Sequence, residues 1–139
     1  MSMALTTSTP RISESEKLTI NLGYVDLGQI DLLVAEGFYA NRSDFIRTAI
    51  RTHLATHGEA LRQVVARKML VLGLQHFSVA DLTRVQAAGE RLQIRVLGLA
   101  SIAQDVPAEL AQATIESITV LGALHASPAV RAALAGRIS

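Results

Sequence analysis

Lys17 to Leu22, KLTINL, alternates polar and apolar side chains without a break, the period-two pattern of a β-strand with one buried face. Lys17, Thr19 and Asn21 fall on one face, and Leu18, Ile20 and Leu22 on the other. The sequence from there to His57 reads as two helices, so no second strand close in sequence can complete its ladder. A second copy of the chain is the simplest partner. Two such strands paired antiparallel make a ribbon that rests its apolar side chains on a helical core and displays Lys, Thr and Asn in a row on the other side. Those side chains carry the donors and acceptors that can read base edges.

The first helix is expected to open at Asp26 as N-cap, to bury Leu27, Ile30, Leu33 and Val34 along one stripe, and to stop at Gly37, which suits a left-handed cap. Gly28 in its first turn weakens it by about 1 kcal/mol relative to Ala, so the helix leans on tertiary packing. Phe38 and Tyr39 fill the turn. The second helix opens at Asn41, with Asp44 three residues on in a variant of the capping box. Its apolar face is Phe45, Ile46, Ala49, Ile50 and Leu54, and Gly58 marks its end.

This order of strand, helix, short turn and helix covers about Glu16 to His57, with NRSDFIRTAIR at 41 to 51 opening the second helix. It resembles the ribbon-helix-helix DNA-binding family, the class of the Arc and MetJ repressors and the CopG-type regulators. The resemblance implies a homodimer that lays its paired ribbon in the major groove of double-stranded DNA. Carried over by position, it implies base contacts from Lys17, Thr19 and Asn21. It also implies a phosphate held at Asn41, Arg42 and Ser43 through backbone N–H groups and the helix dipole. Leu18, Ile20, Leu22, Phe45, Ile46 and Ile50 would form the dimer core. Arg47 and Arg51 read as solvated or paired with acidic residues of the dimer.

After a connecting helix at 59–68 the pattern changes to a repeat. Val-Leu-Gly recurs at Val71, Val96 and Val120, spaced by 25 and then 24 residues (96 − 71 and 120 − 96). Met69, Ile94 and Ile118 stand two before each Val. Helix starts follow at Ser78 with Asp81, at Pro107, and at Ser127 with Pro128. Each unit reads as strand, Gly corner and short helix, a period within the range of strand-plus-helix solenoids, although the asparagine ladder of leucine-rich repeats is missing. Such a unit cannot bury its apolar face alone, so three are expected to stack into a small parallel sheet backed by helices over 69–139. An ordinary α/β domain with vestigial repeats is the alternative. The last strand, with Ile118 and Val120, is expected to be an open assembly edge where ribbon dimers join tail to tail.

The 139 residues are half apolar with a mean hydropathy of +0.33, which suits buried structure, and they include no Cys and no Trp. Disulfides, thiolate zinc sites and cysteine nucleophiles are thereby excluded. With aromatics at 4%, no stacking platform for single-stranded nucleic acid is evident. Net charge is +1; residues 1–58 hold five basic and six acidic side chains (5 − 6 = −1), and 59–139 hold eight and six (8 − 6 = +2). DNA binding is therefore expected to be modest per dimer and to lean on several dimers acting together. His53 and His57 have the i, i+4 spacing of a metal clamp, but no third ligand is evident. His76 and His125 share one ridge with Ser101 between them, too far apart for one ion. No G-x-S-x-G, H-E-x-x-H or P-loop occurs, so no enzyme, metal or cofactor is expected.

The sequence thus predicts an α/β chain with a disordered arm at 1–15, a dimeric ribbon-helix-helix domain at 16–58, the connecting helix, and the three-repeat unit. The function expected is a dimeric, sequence-specific DNA-binding transcriptional regulator, often a repressor in this class, with a C-terminal domain for oligomerisation or for a protein partner. Its alternatives are a scaffold that uses the ribbon only to dimerise, or the antitoxin of a toxin-antitoxin pair. No signal peptide or membrane span is read, so a cytoplasmic protein is expected.

Overall fold

The computed structural model describes residues 15–139, and the arm expected at 1–15 falls, but for Ser15, outside them. Two compact units divide between Val64 and Val65.

In the N-terminal unit, residues 15–23 belong to no helix or sheet. Helix α1 spans Tyr24–Ala35 and α2 spans Arg42–Thr56; α3, Gly58–Arg67, follows across the boundary. Helix α1 starts earlier than Asp26 predicts: Gly23 is its N-cap and offers no side-chain hydrogen bond, while Asp26 sits in the first turn. An acidic residue favours the positive end of the helix dipole from that turn as well as from the cap, which makes the two positions hard to tell apart in sequence. The end is as expected. Gly37 takes φ +88°, and Phe38 N–H donates back to the Leu33 carbonyl at 2.9 Å. Ile30 is buried on the predicted stripe, with Leu27, Leu33 and Val34 half-buried. Tyr39 meets Phe45 edge-on, ring centroids 5.0 Å apart, and fills the turn.

The C-terminal unit is a three-stranded parallel sheet in the order β1 (Val71–Phe77), β2 (Leu92–Ile102), β3 (Ile115–His125). Helices α4 (Val79–Ala87) and α5 (Ala108–Thr114) make the crossovers, and α6 (Pro128–Ala133) follows β3. The register is the one the repeat predicts: Val71 pairs with Val96 and Val96 with Val120, and likewise Leu72, Leu97 and Leu121. Helix starts also fall where expected. Ser78 and Asp81 form a reciprocal capping box, and Ser127 Oγ accepts from Val130 N–H with Pro128 in the first turn. Leu82 of α4, Ala111 of α5 and Val130 of α6 share one dry core with Ile94, Val96, Ile102, Ile115 and Ile118. Burying such a side chain fully contributes roughly 1.5–3 kcal/mol, and the layer of helices closes one face of the sheet for that reason.

Three features differ from the sequence expectation. Gly98 and Gly122 are not corners; both strands run on through them, to Ile102 and His125. Their φ values, +141° and +123°, and that of Gly73, +126°, let the chain continue while successive glycines stack in register. A Cβ on Gly98 would overlap the Gly73 carbonyl oxygen, and one on Gly122 the Gly98 carbonyl oxygen. Met69 stands outside the ladder at φ +56°, so β1 begins two residues later than the repeat suggests. The third difference concerns the last strand. Ile118 is fully buried, pairs with Ile138 in an isolated parallel bridge, and gives its carbonyl to Ser139 N–H at 2.9 Å. The edge expected at Ile118 and Val120 is therefore closed at Ile118 by the chain's own final residues.

Candidate nucleic-acid interface

Lys17, Thr19 and Asn21 lie on the segment 15–23, all exposed, and so do the alternate apolar residues. Leu18 is 81% exposed and Ile20 64%. A strand exists only with a ladder partner, and no described residue of the single chain supplies one, so the predicted strand is not formed within one copy. Of the other residues assigned to a dimer core, Ile50 is exposed, while Phe45 and Ile46 are half-buried. One copy thus leaves an apolar row on the 15–23 segment, and Ile50 and Leu54 on α2, in water.

The start of α2 is built as its sequence requires. Asn41 Oδ1 accepts from Asp44 N–H at 2.8 Å, and Asp44 Oδ2 accepts from Ala40 N–H at 2.9 Å. The reciprocal bond goes to Ala40, one residue before the cap, which is the variation on the capping box here. The backbone N–H groups of Arg42 and Ser43 stand at the first helical positions, where no preceding turn supplies a carbonyl. That is the arrangement to which anions bind at helix N-termini.

Sequence reading missed one contact at this site. The Arg42 guanidinium clamps Asp31 of α1 with two hydrogen bonds, Nε to Oδ1 at 2.8 Å and Nη2 to Oδ2 at 2.9 Å. That hydrogen bonding, with the guanidinium charge behind it, holds the Asp31 carboxyl below its ordinary range and raises Arg42. The pair joins the two helices across the turn. Among the described residues Lys17, Arg47 and Arg51 enter no ion pair, so these are the cations of the unit that carry unneutralised charge.

His53 and His57 stack edge-on with ring centroids 5.2 Å apart. His76, Ser101 and His125 occupy successive strands in register, and His76 Nδ1 lies 3.1 Å from Ser101 Oγ. No group of three or more metal-ligating side chains gathers among the described residues, and none of their helices is long and apolar enough to cross a membrane.

The chain matches the pattern of the ribbon-helix-helix transcriptional regulator family over residues 13–131. It belongs to that family. The match passes through both units, so the strand-and-helix repeat is part of the family pattern and reaches well beyond the 16–57 over which the sequence resemblance was legible. Neither a curated protein nor a solved structure matches the chain.

Proposed function

We propose that this protein is a dimeric, sequence-specific DNA-binding regulator of transcription. Segments 17–22 of two copies pair as an antiparallel ribbon, and Leu18, Ile20 and Leu22 of each close over Phe45, Ile46 and Ile50. Lys17, Thr19 and Asn21 then face base edges in the major groove, while Asn41, Arg42 and Ser43 hold a phosphate. The observation that carries this reading is the uncovered apolar row of Leu18 and Ile20 on a segment with no ladder partner among the described residues of its own chain. Leaving each such side chain in water forfeits roughly 1.5–3 kcal/mol, which a second copy recovers together with the ladder hydrogen bonds.

Phosphate contact falls mainly to the backbone N–H groups at the start of α2, because Asp31 already neutralises the Arg42 guanidinium. The C-terminal unit serves assembly of dimers or binding of a protein partner. Binding to duplex DNA from the protein's own upstream region, measured across a salt series, tests the proposal. Saturable binding whose logarithm falls linearly with the logarithm of salt concentration supports it. Absence of binding at every salt concentration contradicts it and leaves the ribbon as a dimerisation device only.

A further inference from the structure

The sheet of the C-terminal unit has two outer strands whose unfilled positions are complementary. Along the outside of β3, the Ile118 carbonyl is taken by Ser139 N–H and the Leu124 carbonyl by the Arg131 guanidinium. Between them, among the described residues, no hydrogen bond from beyond the β2–β3 ladder reaches Val120 to Ala123. On the far side, among the described residues, no backbone group of Val71 to Leu74 bonds outside the β1–β2 ladder. These two open stretches hold equivalent places in the repeat, since Val71, Val96 and Val120 share one register.

The glycines give the edges a direction. The place where a Cβ of Gly98 would lie is filled by the Gly73 carbonyl, and the place at Gly122 by the Gly98 carbonyl. Gly73 also has a left-handed φ, yet among the described residues no atom lies within 4 Å of where its Cβ would be. The slot that takes a preceding strand's glycine carbonyl is thus formed on β1 and empty, while Gly122 is the last glycine of the stack. Leu72 and Leu121, in matching register, are 71% and 53% exposed on these outer strands.

We propose that β3 of one copy adds in parallel to β1 of the next, Val120 to Ala123 against Val71 to Leu74, with Gly122 placing its carbonyl in the empty slot over Gly73. The occupant of each edge is a second copy of this chain. The contact is head to tail, so it does not close on itself as a two-fold contact would, and it propagates from copy to copy. The Val-Leu-Gly stack continues across every junction without a break in period, each copy advancing the sheet by about 14 Å, three strands at about 4.8 Å. A junction this short is weak singly, and the ribbon dimer strengthens it by offering two at once. This inference rests on reading the C-terminal unit as an assembly module; it does not rest on DNA binding.

The chain contains no Cys, so single thiols can be placed at will. Full-length Leu72→Cys and Leu121→Cys proteins are treated with a short bifunctional thiol reagent, each alone and then mixed. The proposal expects cross-linked pairs in the mixture and none in either protein alone, and a ladder of multiples in the double variant. Cross-links in either single variant alone would overturn it, since they report β1 on β1 or β3 on β3, and so would none in the mixture. As a second measurement, Leu72→Lys, at an exposed position, should keep the wild-type circular dichroism while particle mass by light scattering falls to that of two chains. An unchanged, larger mass overturns the proposal, as does a wild-type protein that stays at two chains at all concentrations. Duplex binding of the wild-type protein at a single site separates the two readings: its absence while the thiol variants still cross-link is a failure of the DNA reading, not of the sheet junction.

Discussion

Arg42 reaches across the turn between the first two helices and holds Asp31 in a two-pronged grip, with both N–O distances below 3 Å. The pair stands beside the helix start proposed to bind phosphate, so one carboxylate both fastens α1 to α2 and draws a cation away from DNA. Replacing Asp31 by Asn should free the Arg42 guanidinium. Affinity for every duplex should then rise together and the salt dependence steepen, by up to about one phosphate's worth of slope. Titrations of wild type and Asp31→Asn on specific and random duplexes check this, and a gain confined to one sequence would contradict it.

The same pair predicts a pH dependence. The Asp31 carboxyl is held below its ordinary value of 3.8 by hydrogen bonds from Arg42, so in the folded state it stays ionised further into acid than in the unfolded chain. Its contribution to stability is complete above that ordinary value and fades as pH falls through the lowered one. Thermal melting of wild type and Asp31→Asn should therefore differ at neutral pH and converge in acid below about 3.8. Both groups are solvent-exposed, so the gap should be small and should shrink at high salt.

Gly98→Ala and Gly122→Ala place a methyl group on a neighbouring strand's carbonyl oxygen at a φ that L residues rarely adopt. Each should destabilise the C-terminal unit by at least about 3 kcal/mol. Gly73→Ala meets only the dihedral strain within one copy, about 1–3 kcal/mol, because no atom of the described residues lies near its Cβ position. Urea unfolding at concentrations low enough to separate the copies should rank Gly73→Ala as the mildest.

Ile20→Lys should leave the N-terminal unit unable to dimerise. The side chain is exposed in one copy, and the cost of several kcal/mol arises only when a second copy would bury the unpaired charge. Sedimentation together with circular dichroism checks this; a folded dimer bearing Ile20→Lys, joined through its N-terminal unit, would contradict the shared ribbon.

Much of this was legible in the residues because period and punctuation agreed. The recurrence of Val-Leu-Gly set the strand register before any coordinate, since three identical strand segments stack best on themselves, and Asn41 with Asp44 marked the start of α2 through local hydrogen bonds alone. What escaped reading was non-local. Asp31 and Arg42 stand eleven residues apart on separate helices, and no periodicity joins them. Ile138 and Ser139 return to β3 after a short 3-10 turn that carries no strand pattern. From sequence alone the glycines read as corners because a glycine inside a strand ordinarily weakens it, and their use as slots for a neighbouring carbonyl appears only once the strands are stacked. The ribbon is a further case: the proposed partner of its strand is a second copy, and in a single copy residues 15–23 form no strand.

If the polar face of the ribbon reads DNA sequence, Asn21→Ala shows it. Affinities of wild type and variant are measured at one fixed salt concentration on the upstream duplex and on a set of single-base-pair variants of it. Asn21→Ala should lose about 1–3 kcal/mol of discrimination at one or two base pairs per half-site while binding of random duplex is unchanged. An Asn21→Ala protein with the full wild-type pattern of preferences would contradict it.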